Sequence, residues 1–95
     1  MAESNYQRKL KQEAERIGWT VIKLVRATVN GYPDLVLLHA TWGIMLIEVK
    51  DEKGKQSKLQ EYRIQELNTN GFAAIVADPS NHSDTIEAIT PHLKK

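Results

Sequence analysis

The sequence of 95 residues contains no cysteine. Disulfide bonds, thiolate metal sites and catalysis by a cysteine nucleophile are therefore excluded. The sequence also lacks a run of about 18 apolar residues, so it predicts no membrane-spanning helix. Its first ten residues, MAESNYQRKL, lack the apolar segment of a secretory signal peptide. This last absence predicts an intracellular protein that is not secreted, whereas the lack of cysteine says nothing about the compartment.

Net charge is also small, at +1, so the overall charge does not indicate a nucleic-acid partner. The distribution of charge says more. Residues 1–30 contain six lysines and arginines against three glutamates, whereas the rest of the chain is net negative. This asymmetry permits a phosphate-facing surface on one side of the protein. The charged residues of the first predicted helix are, however, most simply explained as a solvated face.

The length predicts one domain, residues 1–95. Its core would be small, so dimerisation would help to stabilise it. Hydrophobic periodicity predicts three helices, over residues 3–17, 58–69 and 84–93. Apolar runs predict four strands, over residues 19–25, 35–38, 44–47 and 72–77. This order predicts an α/β domain of mixed α+β type, with a four-stranded mixed sheet flanked by helices.

The central segment, residues 31–50, reads as a hairpin that ends in charged residues. A loop made of Thr41-Trp42-Gly43, with Gly43 in the left-handed conformation, would fix the register. The cross-strand pairs would then be Ala40 with Ile44, Val36 with Glu48, and Asp34 with Lys50. Because side chains alternate along a strand, Asp34, Glu48 and Lys50 would share one face. Two carboxylates and a lysine at a sheet edge predict a site for a hard divalent cation.

The second predicted helix adds a polar group to this edge. Gln60, Ile64 and Leu67 share one helix face because they are spaced i, i+4 and i+7. If Ile64 and Leu67 pack on the sheet, Gln60 is partly buried and needs a polar partner. Ser57 is the expected N-cap of this helix, and the free N–H groups beside it suit a phosphate.

Asp34 followed by Glu48-Val49-Lys50 resembles the PD-(D/E)xK nuclease motif. Further residues resemble the VRR-NUC branch of that superfamily: Gly31-Tyr32-Pro33 before Asp34, Gly54, Ser57 and Gln60 after it, and Lys23 and Arg26 ahead of the glycine. One departure is the name-giving Val-Arg-Arg, of which only Val25-Arg26 is present. The resemblance covers residues 3–77 and is strongest to the minimal, stand-alone, virus-type members. It implies a restriction-endonuclease-like α-β-β-β-α-β core.

The resemblance also implies a metal-dependent phosphodiesterase that uses Mg²⁺ or Mn²⁺ and no small-molecule cofactor. The groups that would hold the ion are Glu3, Asp34, Glu48 and the Val49 carbonyl. Lys50 would orient the attacking water, and Gln60 would brace the site. Glu3 is chosen as the carboxylate of the first helix because its distance from Gly18 matches the family spacing. Glu13 is the alternative.

Minimal members of this family are homodimers that act on branched or cruciform DNA, such as Holliday junctions, so the resemblance implies the same here. The residues expected to meet nucleic acid are Lys23, Arg26, Lys53, Lys55, Ser57 and Lys58. Branched DNA is favoured over a base-specific target because the sequence contains no groove-reading helix or long recognition loop. The alternatives are a DNA-binding module on the same scaffold that does not cleave, and a plain oligomerisation domain.

Overall fold

The computed structural model describes residues 5–24, 33–50 and 58–90, and the following elements lie within these ranges. The helices are α1 (Asn5–Ile17), α2 (Lys58–Thr69) and α3 (His82–Ala88), with a 3₁₀ helix at Pro79–Asn81. The strands are β1 (Thr20–Lys23), β2 (Leu35–His39), β3 (Gly43–Val49) and β4 (Ala73–Ala77). The predicted order of helices and strands is confirmed.

The four strands form one mixed sheet in the order β1-β2-β3-β4. The pairs β1–β2 and β2–β3 are antiparallel, whereas β3 and β4 are parallel and are connected through α2. The predicted four-stranded mixed sheet flanked by helices is therefore confirmed. Within the described ranges, no helix combines the length and apolarity that crossing a membrane requires.

The hairpin register predicted from the sequence is wrong by two residues. Leu38 pairs with Ile44, and His39 pairs with Gly43. The turn therefore consists of the three residues 40–42. The physical reason is the His39 ring, whose Nδ1 accepts the backbone N–H groups of Thr41 and Trp42 at 3.0 and 3.1 Å. These bonds close the turn one residue earlier than expected. A shift of two residues leaves every side chain on its predicted face.

The main core lies between the sheet and helix α1. Its buried members are Leu10, Ala14, Trp19, Leu35, Leu37, Met45, Ile47, Ala77 and Ile89. Leu10 and Ala14 are four residues apart, so they lie on the α1 stripe that faces the sheet. Helix α2, on the other hand, has no buried residue. The sheet is thus well covered on one face and thinly covered on the other.

Helix α3 begins and ends earlier than predicted. Asp78 accepts the N–H groups of Ser80 and Asn81, and the Asn81 side chain accepts the N–H of Asp78 in return. This capping box starts the 3₁₀ helix, which continues directly into α3 at His82. At the other end, Thr90 precedes a proline, a position that disfavours helical backbone. Residue Leu93, which the sequence placed in this helix, lies outside the described residues.

Candidate functional site

Polar side chains gather at the sheet edge where β2 begins and β3 ends. Asp34 precedes β2 by one residue, and Glu48 and Val49 are the last two residues of β3. Because the strands are antiparallel, these ends meet at the same edge. One carboxylate oxygen of Asp34, Oδ2, accepts the backbone N–H of Val49 at 2.9 Å. With Leu35 opposite Ile47, Asp34 comes next to Glu48 and not next to Lys50, as the predicted register had it.

Glu48 is a buried carboxylate whose side chain is only 2% exposed. Its Oε2 accepts a hydrogen bond from Gln60 Nε2 at 2.6 Å and lies 3.4 Å from Lys50 Nζ. Its other oxygen, Oε1, is buried and has no hydrogen-bond partner among the described residues. A buried polar atom without a partner costs free energy. A bound cation is the simplest group that would satisfy it.

Electrostatics at Glu48 agree with this interpretation. Burial raises the pKa of the Glu48 carboxyl group from 4.5 to about 7. This value already includes the nearby charge of Asp34, which also raises the pKa, and the Lys50 ammonium group, which lowers it. Two neighbouring carboxylates resist joint ionisation unless a positive charge compensates them. The edge therefore favours a cation over two bare negative charges.

Gln60 links the lysine to the glutamate. It lies in the first turn of α2, where its Oε1 accepts a hydrogen bond of 2.6 Å from Lys50 Nζ. Since Oε1 accepts from an ammonium group, the amide nitrogen is left to donate to Glu48, as it does. The Lys50 backbone is also held, because its N–H donates to the Ala77 carbonyl of β4 at 2.8 Å. Both the side chain and the backbone of Lys50 are thus positioned.

The oxygen donors at this edge fit a hard divalent cation. Asp34 and Glu48 offer carboxylates and Val49 offers a backbone carbonyl, which are ligands that Mg²⁺ and Mn²⁺ accept. The unsatisfied Glu48 Oε1 supplies the structural reason for an ion here. Among the described residues, however, no group of three or more His, Cys, Asp or Glu side chains forms a complete metal site. Further ligands would have to come from water, substrate or Glu3, which lies outside the described residues.

Some of the remaining predicted residues lie outside the described part of the chain, and the others lie in elements around the edge. Those outside the described residues are Glu3, Arg26, Lys53, Lys55 and Ser57. Lys23 ends β1 opposite Leu35, next to Asp34, so it belongs to the same edge. Lys58 begins α2 and is exposed, two residues before Gln60. Glu13, the alternative helix carboxylate, has its Oε1 3.1 Å from His82 Nε2 and so contacts α3.

One group at the edge was missed by sequence reasoning. The Val49 N–H holds the Asp34 side chain in place, although Val49 was considered only for its carbonyl. A backbone donor has no mark of its own in a sequence, because every residue except proline carries one. The signal that could have revealed it is the register, which places residue 34 near residues 48 and 49 once the turn is known.

Comparisons with known proteins agree with the fold. A family model described as the VRR-NUC domain matches residues 2–81. A solved structure described as "VRR_NUC domain" has a TM-score of 0.73 and 26% identity, covering 86% of this chain and 89% of that one. Another, described as "VRR_NUC domain protein", has a TM-score of 0.51 and 26% identity, covering 98% of this chain and 66% of that one. No curated protein matches the sequence.

Proposed function

Because the chain belongs to the VRR-NUC family of nuclease-type domains, we propose that it is a metal-dependent endonuclease acting on branched DNA. The observation that carries this proposal is the buried carboxylate of Glu48, with one oxygen unsatisfied, beside Asp34 and Lys50. A structural ion pair would not leave a buried carboxylate oxygen without a partner. A site that binds a cation and a phosphate would.

Hydrolysis of a phosphodiester requires an aligned water, compensation of charge on the phosphate and help for the leaving oxygen. Asp34, Glu48 and the Val49 carbonyl would hold Mg²⁺ or Mn²⁺, which supplies Lewis-acid activation when bound. Lys50 orients the attacking water through its ammonium group and offsets negative charge on the phosphate. Gln60 keeps that ammonium group directed at the site through the hydrogen bond to its Oε1.

Nucleic acid would lie across the same edge. Lys23 at the end of β1 and Lys58 at the start of α2 place positive charge at the ends of two elements that meet there. The further expected contacts, Arg26, Lys53, Lys55 and Ser57, follow Lys23 or precede Lys58 closely in the sequence. Phosphate contacts of this kind position DNA without reading its sequence. That property suits an enzyme selecting the shape of a branched substrate.

The direct test is cleavage of a labelled four-way junction and of supercoiled plasmid. We expect cutting with Mg²⁺ or Mn²⁺, none with chelator, and slower cutting of a linear duplex of the same sequence. Asp34→Asn should abolish cutting, because it removes one of the two described carboxylates. Binding that falls steeply with salt, without any cutting, would instead establish the non-catalytic DNA-binding module. Equal cutting of junction and linear duplex would contradict the preference for branched DNA.

We also propose that the protein is a homodimer, with one site in each subunit. Support comes from the thinly covered face of the sheet, where Ile22 and Ile44 are 44% and 46% exposed. Between them, Val36 pairs with Ile22 and Leu38 pairs with Ile44, so the apolar surface is continuous. A contiguous apolar surface of this kind is typical of an interface. Two-fold symmetry would allow each site to cut one of two strands.

Replacing Ile44 with glutamate is expected to convert the dimer to a monomer, because it would bury a charge in the interface. Light scattering coupled to size exclusion should then change from twice the chain mass to 10.8 kDa. The matched control is Tyr62→Glu, since Tyr62 is 55% exposed and, two residues after Gln60, lies on the opposite side of α2 from the sheet. A dimer that survives Ile44→Glu, or a parent protein that is monomeric at every concentration, would exclude this interface.

A further inference from the structure

The solvent face of α1 carries three cations: Arg8, Lys9 and Arg16, here called the α1 basic face. All three side chains are exposed. Lys9 and Arg16 are seven residues apart, or about two helical turns, so they project in nearly the same direction. Arg8 lies on the adjacent ridge. The three cations therefore occupy the side of α1 opposite its buried residues Leu10 and Ala14.

The carboxylates of α1 do not neutralise this face. Glu15 accepts a salt bridge from Lys11 at 2.8 Å, and Glu13 contacts His82 on α3. Within the described part of the chain, Arg8 donates a long hydrogen bond of 3.5 Å to the uncharged Asn5 side chain. Among the described residues, no carboxylate lies within ion-pair distance of the α1 basic face. Glu13 and Glu15 lie on the same helix, but among the described residues neither is paired with Arg8, Lys9 or Arg16, so these three cations can meet an anionic partner.

The α1 basic face begins at the same end of the molecule as the candidate site. The Tyr6 hydroxyl lies 2.9 Å from His82 Nδ1, and His82 follows closely after the end of β4. The last residue of β4, Ala77, accepts the backbone N–H of Lys50. The first turns of α1, with Arg8 and Lys9 next to Tyr6, are therefore linked through His82 to the end of the sheet where Lys50 lies. Arg16 lies about 12 Å farther along the helix axis.

We propose that the α1 basic face binds the phosphate backbone of the DNA strand entering the site. This inference rests on the proposed nuclease function and extends the contact surface beyond the residues flanking the carboxylates. The distance of about 12 Å from Arg8 to Arg16 equals the axial rise of three to four nucleotides at about 3.4 Å each. With Lys58 on α2, positive charge then borders the site from both helices that flank the sheet.

The test measures how DNA affinity depends on salt. Fluorescence anisotropy with a labelled four-way junction is recorded in the Asp34→Asn background, so that the probe stays intact. The variant combines Arg8→Gln, Lys9→Gln and Arg16→Gln. The slope of log affinity against log salt should become less steep by about 2.7, since each lost phosphate contact contributes about 0.9. The matched control on the same helix is Lys11→Gln, which removes a cation already paired with Glu15 and should keep the parent slope.

Each outcome decides the inference. An unchanged slope in the triple variant, with a parent protein that cuts and binds DNA, overturns the inference and leaves the nuclease function standing. A parent that neither binds nor cuts DNA overturns both. If Lys11→Gln changes the salt slope as much as each single variant does, the effect is one of net charge in general, and the inference is also overturned. Should circular dichroism show the triple variant unfolded, the three single variants replace it, each with an expected slope change of about 0.9.

Discussion

The Glu48→Gln substitution is expected to stabilise the protein and inactivate it at the same time. In the absence of divalent ions at pH 8, the free energy of unfolding should rise by about 3 kcal/mol, while DNA cleavage is lost. The stabilising part follows from the pKa of Glu48, which burial and the charge of Asp34 raise from 4.5 to about 7. The inactivating part follows from the loss of a carboxylate that we propose as a metal ligand.

The sign of the pH dependence follows from proton binding. Between pH 4.5 and 7, the folded Glu48 carboxyl group holds its proton more tightly than the unfolded one does. Stability of the parent protein therefore falls as the pH rises through this window. Below pH 4.5 the group is protonated in both states and carries no penalty. Above pH 7 the penalty is complete. The difference in the free energy of unfolding between variant and parent, here called the stability gap, should therefore grow between pH 4.5 and 7.

Thermal unfolding of the variant and the parent at pH 4.5 and pH 8 measures the stability gap between them. A difference of about 3 kcal/mol corresponds to roughly 12–24 °C in melting temperature for a domain of this size. Glu87→Gln, on the exposed surface of α3, is the matched control and should melt like the parent at both values. Adding Mg²⁺ or Mn²⁺ should stabilise the parent only and so narrow the gap. A Glu48→Gln protein that is less stable than the parent at pH 8 would show that the carboxylate is fully compensated without an ion.

How far the sequence predicted this edge is clear from Asp34 and Glu48. Period-two alternation along two short apolar runs was enough to place both on one face, and a register error of two residues left that face unchanged. The register itself was not predictable from turn propensities, because the His39 ring closes the turn through two backbone N–H groups. That contact depends on a side-chain rotamer, which no pattern of residue types specifies.

Helix α2 and helix α3 show the same limit in different ways. The i, i+4, i+7 spacing placed Gln60 on the inner side of α2, but the bond from Lys50 to Gln60 depends on where α2 crosses the sheet edge. Helix α3 was predicted from its apolar spacing, and its start was missed because the Asp78 capping box begins it through a 3₁₀ helix. Local patterns thus located the elements, whereas side-chain bonds between elements fixed the geometry of the site.

Replacing Lys50 with methionine is expected to lower the cleavage rate by about 100- to 10,000-fold, the usual range for losing a group that aids proton transfer or charge stabilisation. Methionine keeps much of the length of the side chain and removes the ammonium group. Lys50 is 15% exposed and lies 3.4 Å from Glu48 Oε2, so it contributes charge inside a largely dry site. Lys11→Met, at the exposed pair with Glu15, is the control and should keep the parent rate.

Lys50→Met differs from Glu48→Gln in a way that separates catalysis from metal binding. Both variants lose cleavage, but only Lys50→Met retains the two carboxylates, so Mg²⁺ or Mn²⁺ should still raise its melting temperature. Because Lys50 lowers the pKa of Glu48, its loss should move that ion-dependent rise to higher pH. Gln60→Leu should lose less activity than either variant, about 10- to 100-fold, since it frees Lys50 but removes no charge. A Lys50→Met protein that cleaves DNA at the parent rate would show that the metal-binding carboxylates suffice and that Lys50 serves only as a counter-charge to Glu48.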